Sequence, residues 1–155
     1  MPCWYQVTPA NSRADEAVDK LRAFLPADVQ STDRITSIQW SHPEGFQGFI
    51  RFEHTAIQSL EIRWVAENAS SAPIRLGDVM AEFGAPDRVG IDTTGRVYLQ
   101  YDQSLLTVWV STNSAHHLSP DHPVTRLQML SPHRTGFHRP PQGAARGWNG
   151  FSRLP

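Results

Sequence analysis

Leu105-Leu106-Thr107-Val108-Trp109-Val110 reads as a strand, and Leu60-Glu61-Ile62-Arg63-Trp64-Val65 answers it earlier in the chain. Working outward, Gly95-Arg96-Val97-Tyr98-Leu99 is answered by Gly48-Phe49-Ile50-Arg51-Phe52. Asp87-Arg88-Val89 is answered by Asp33-Arg34-Ile35, and Glu82-Phe83-Gly84-Ala85-Pro86-Asp87 by Ala23-Phe24-Leu25-Pro26-Ala27-Asp28. Self-similarity of this kind decides how a fold is read. It predicts two halves, about 11–66 and 74–130, each a helix followed by an antiparallel meander, with Trp64 and Trp109 at matching positions. Helices grouped against antiparallel strands give an α+β class, here one sheet of tandem repeats with an extended C-terminal tail.

In the first half, Asn11 or Ser12 caps a helix whose first turn carries Asp15 and Glu16. Ala14, Ala17, Val18, Leu21, Phe24 and Leu25 recur at helical spacing, and Pro26 stops the run. Strands follow at about Arg34–Trp40, Gly48–Glu53 and Ile57–Val65, the last with a slip in its alternation that marks a bulge. Glu67–Pro73 is a polar linker. The second half predicts a helix over Leu76–Phe83, closed by Gly84 and Pro86. Strands follow over Arg88–Asp92, Val97–Tyr101, Leu105–Ser111 and, after a His- and Pro-rich loop, Val124–Leu130. The domain prediction is therefore one α+β domain over 1–130 and a tail over 131–155.

Length and composition set outer limits. The chain has 155 residues and 39% hydrophobic content, enough to bury a sizeable core. No apolar run approaches the ~18 residues of a membrane helix. The start shows no charged, then apolar, then small-residue leader, which predicts no cleavable signal. A single cysteine, Cys3, excludes an intramolecular disulfide framework. Net charge is -1, but Arg134, Arg139, Arg146 and Arg153 sit in the acid-free tail while the rest of the chain is acidic. A cationic tail beside an acidic body predicts docking on its own body or on a partner.

The stretch Leu76-Gly77-Asp78-Val79-Met80-Ala81-Glu82-Phe83-Gly84-Ala85-Pro86-Asp87 resembles a pattern in small envelope lipoproteins of the SmpA/OmlA (BamE) type. In those proteins a Gly opens a helix, a Val sits within it, and Gly-x-Pro closes it before a meander. In tandem, the unit resembles the beta-lactamase inhibitor protein fold. The resemblance implies a protein-binding scaffold without catalytic machinery, and an envelope location if Cys3 is a lipidated start. Without that start, the location implied is cytoplasmic.

Candidate functional residues fall in two clusters. Arg139, Arg146, Trp148, Phe151 and Arg153 in the tail combine apolar anchors with arginines that pair with carboxylates, the composition of a protein interface. The expected partner is a protein or a second subunit, and the chain is read as a non-enzymatic interaction or assembly module. His116, His117, Asp121 and His122 are the alternative: divalent-metal ligands of a metal-dependent enzyme, with His133 or His138 completing the set. Their spacing matches neither a His-Glu-x-x-His helix nor a zinc finger. No Gly-x-Ser-x-Gly elbow, phosphate loop or dinucleotide glycine pattern is present. The acidic body argues against nucleic acid, whose binding rests on phosphate neutralisation.

Overall fold

A computed structural model describes residues 6–9, 11–24, 30–31, 37–42, 45–64, 74–112, 117–132 and 143–151. Its contacts divide the chain into two units: Met1–Val65 with Gln128–His138, and Ala66–Leu127 with Arg139–Pro155. Both are α+β, and every strand pairing named below is antiparallel.

The first unit opens with α1, Ala14–Phe24. Its stripe of Ala14, Ala17, Val18 and Leu21 is buried, as the helical spacing predicts. Ser12 does not cap the helix in the expected sense. Its hydroxyl accepts the Thr8 N–H at 3.1 Å, closing the turn before the helix, while the Glu16 carboxylate accepts the Arg13 N–H at 3.4 Å. Phe24's side chain, Leu25 and Pro26 lie outside the described residues. The strands are β1 (Gln30–Ser31), β2 (Ser37–His42), β3 (Phe46–Glu53) and β4 (Ala56–Trp64), in the order β1-β2-β3-β4. The register shifts between Arg51, opposite Ser59, and Phe52, opposite Ile57, so Gln58 is the extra residue of the expected bulge. Ile38, Trp40, Ile50, Leu60 and Ile62 line the buried apolar face. On it, Trp40 stands opposite Gly48 across the β2–β3 ladder, and its ring fills the space a side chain at 48 would occupy.

In the second unit α2 runs Leu76–Phe83, and β5 (Arg88–Asp92), β6 (Val97–Tyr101), β7 (Leu106–Val110) and β8 (Val124–Leu130) follow. Gly84 takes φ 78° and its N–H donates to the Met80 carbonyl at 2.9 Å, ending the helix where the sequence places its stop. Strand β8 starts in this unit and its residues from Gln128 onward belong to the first. Two elements were not expected: the two-residue β1 of the first unit and, in this one, Gly143–Gly147, which lies within the segment read as an extended tail and forms β9 on the outer side of β5. The order within the unit is β8-β7-β6-β5-β9.

All five residues of β6 and all five of β7 are buried, so both faces of this sheet are covered. Register puts Val89, Val97, Leu99 and Val108 on one face. Tyr101 shares it and meets the Phe83 ring of α2 at 6.1 Å, which makes this the helix side. Tyr98, Gln100, Thr107 and Trp109 occupy the other. In the first unit, Trp64 lies instead on the apolar face, its ring 6.5 Å from Phe46. Trp64 thus shares its face with Leu60 and Ile62, and Trp109 shares its own with Thr107.

Candidate interaction surface

The helix-free face of the second unit is built around Trp109. Arg126, from β8, stacks its guanidinium 4.2 Å above the Trp109 ring, and the Thr125 hydroxyl donates to the Trp109 carbonyl at 3.3 Å. The Trp109 indole helps to hold the Asp92 carboxyl below its ordinary pKa. Asp92 accepts the Thr94 N–H at 2.9 Å, the Thr94 hydroxyl at 2.6 Å and the Arg96 N–H at 3.0 Å. Burial alone would raise the Asp92 pKa; the donors from Thr94 and Arg96, together with the indole, outweigh it. Burial raises the Tyr98 hydroxyl, Asp92 adds to the rise and Arg88 opposes it. Gln100, 4% exposed, carries a side-chain oxygen with no hydrogen-bond partner among the described residues.

At the outer edge, Arg88 pairs with Asp102 at 3.0 Å, and the Asp87 carboxylate accepts the Asp102 N–H at 2.7 Å. The Asp87 carbonyl accepts the Trp148 N–H at 3.0 Å, which extends the β5–β9 ladder by one residue. Trp148 then meets Phe151 edge-to-face, with ring centroids 5.4 Å apart and planes at 86°. Phe151 is 42% exposed, the one large hydrophobic so exposed among the described residues. Arg146 lies in β9 opposite Val89. Three of the five tail residues singled out in the sequence, Arg146, Trp148 and Phe151, are therefore brought to one edge. Arg139, Arg153 and Cys3 lie outside the described residues.

The backbone of the histidine loop caps α2. The first N–H groups of α2 have no partners within the helix. Leu76 N–H donates to the His122 carbonyl at 2.9 Å and Gly77 N–H to the Pro120 carbonyl at 2.8 Å. Arg75 Nη1 adds a bond to the Asp121 carbonyl at 2.9 Å, and the Arg75 N–H is accepted by Asp78 at 2.8 Å. A Cβ at Gly77 would lie 3.2 Å from Pro120 Cβ and 3.3 Å from its carbonyl oxygen, so the glycine at the helix start permits this close approach. Among the described residues no group of three His, Cys, Asp or Glu is placed to hold a metal ion. His116, His133 and His138 lie outside the described residues.

His122 is tied into this loop by its ring. Its Nδ1 accepts the Ser119 N–H at 2.8 Å, a bond that requires the unprotonated nitrogen. Burial lowers the His122 pKa, with Asp121 opposing. Its unfolded form therefore binds a proton at higher pH than the folded one, so its stability contribution is present above ~6.5 and is lost as pH falls below that. The melting temperature is expected to fall between pH 7.5 and 5.5. Replacing His122 by Asn, whose side-chain oxygen also accepts the Ser119 N–H, should flatten that fall; equal slopes in parent and variant would contradict the assignment.

The Arg126–Trp109–Asp92 cluster was not anticipated. Its one sequence signal is the shared parity of Tyr98, Gln100, Thr107 and Trp109 across a hairpin; Arg126 joins only once β8 is placed. Among the described residues no helix is long and apolar enough to cross a membrane. No family model, curated protein or solved structure matches the chain.

Proposed function

We propose that this chain is a non-enzymatic protein-interaction module that docks a protein partner at the C-terminal edge of its second unit. The observation that carries this reading is Phe151, exposed and braced edge-to-face by Trp148 at the end of β9. A packed aromatic pair presents apolar area at low entropic cost, and aromatic and arginine side chains dominate interface energetics. Asp92 is committed to its turn through Thr94 and Arg96, a structural use of a carboxylate rather than a catalytic one.

The two units are, in this reading, versions of one helix-plus-meander element. Support comes from their element order, α1 then β1–β4 and α2 then β5–β8, and from the β3/β6 match, where Ile50 and Val97 are both buried, as are Phe52 and Leu99. The same order underlies the resemblance to tandem scaffolds whose implied role is protein binding. The test is a photoreactive phenylalanine analogue at position 151, with one at exposed Thr94 as control. Crosslinks to protein from 151 and none from 94 are expected; equal labelling from both positions would sink the reading.

A further inference from the structure

The geometry points to a second copy of this chain as the occupant of the β9 edge, joined by antiparallel β9–β9 pairing about a two-fold axis at Ala145. This rests on the reading of the tail edge as the docking site and names its partner. The direction of the β9 backbone groups follows from those of β5. Asp92 N–H donates to Arg96 O at 2.9 Å, so Asp92 turns its amide toward β6, and alternation turns those of Val89 and Ile91 toward β9. Register sets Val89 opposite Arg146 and Ile91 opposite Ala144. The Asp87 carbonyl also faces β9, accepting the Trp148 N–H, while the Asp87 N–H turns to the Gln100 carbonyl of β6 and so departs from the regular alternation.

Ala144, Arg146 and Trp148 therefore hold the ladder to β5, and Gly143, Ala145 and Gly147 turn their N–H and C=O groups to the outer side. Strand β9 ends the strand order, and no described residue bonds that side. Edge strands of this kind are normally blunted by Pro, Lys or a bulge. Gly143-Ala144-Ala145-Arg146-Gly147 has none of these.

The outward groups are also symmetric. Gly143 and Gly147 flank Ala145 at equal spacing, so a two-fold axis there pairs Ala145 with Ala145 and each Gly143 with a Gly147. All the outward donors and acceptors meet, about six backbone hydrogen bonds in narrow pairs. The same register sets Arg146 opposite Ala144 and keeps the two arginines from facing each other. A contact of this isologous kind closes on itself and stops at two chains.

The test uses the full chain. Ala145 is exposed, so replacing it leaves the β5 ladder untouched. Light scattering should give a dimer for the parent, while Ala145→Glu and Ala145→Lys should each be monomeric with unchanged circular dichroism. Like charges then stand directly opposite across the axis. Mixing the two variants should restore a dimer. A parent that is monomeric at every concentration, or an Ala145→Glu variant as dimeric as the parent, would overturn the inference.

Should either variant fail to fold, hydrogen exchange on the parent decides. The Ala145 and Gly147 amides should slow as concentration rises while Arg146 stays slow throughout. Concentration-independent exchange at Ala145 would overturn the proposal. A monomeric parent that still crosslinks from position 151 to another protein removes only the second copy and leaves the wider reading standing.

Discussion

Replacing Gly48 by alanine is expected to destabilise the first unit by about 3 kcal/mol or more, at the upper end for overpacked cores. A Cβ at this position falls inside the Trp40 indole, its cross-strand neighbour. Trp40 is 1% exposed and lies among Ile38, Ile50 and Ile62, so the ring cannot swing into solvent to make room. At roughly 2–4 °C per kcal/mol for a chain of this size, the melting temperature should fall by ~6–12 °C. Trp40→Leu alone should also destabilise, by leaving a void. The double variant should cost less than the two single losses combined, because each change accommodates the other. Melts followed by circular dichroism test this. A Gly48→Ala shift within a degree of the parent would mean that the indole does not lie over that strand.

Ending the chain at Gln142 should cost the second unit a comparable amount. It deletes β9 and strips the Val89 and Ile91 backbone groups of their partners, while Val89 is 2% exposed in the intact sheet. About four backbone hydrogen bonds at ~1 kcal/mol each set the scale. The bared Val89-Gly90-Ile91 edge should also promote aggregation. Calorimetry at matched concentration separates the two ways a tail can dock. Loss of melting temperature reports β9 on its own β5, whereas loss of mass alone reports docking on a neighbour. An unchanged melting temperature would contradict the β5–β9 ladder.

The second unit was the more legible in the sequence because its punctuation is local. Gly84 and Pro86 end α2, and Thr94-Gly95 turns β5 into β6, so these elements begin and end where propensity places them. In β2 the strand runs on through Ser41 and His42, which pair with Gln47 and Phe46 across the hairpin. That extension depends on the neighbouring strand rather than on the residues themselves. Strand β9 is the extreme case. Gly-Ala-Ala-Arg-Gly has poor strand propensity and becomes a strand because β5 offers it unpaired amides. The histidine loop hides its backbone role for a related reason. Its side chains resemble metal ligands, but the groups that cap α2 are the carbonyls of Pro120 and His122, which a residue pattern does not display. Trp148 and Phe151 were singled out by composition, and their edge-to-face pairing is what the folded chain adds.

The most direct test of the interaction-module account is the mass of what crosslinks from position 151 when the full chain is made in its source cells. The account predicts a discrete protein adduct from 151 and none from Thr94. An adduct of twice the chain's mass identifies the second copy, and any other discrete mass identifies a different protein. No protein adduct from position 151, with the chain folded and the photoreactive group active, would contradict the account.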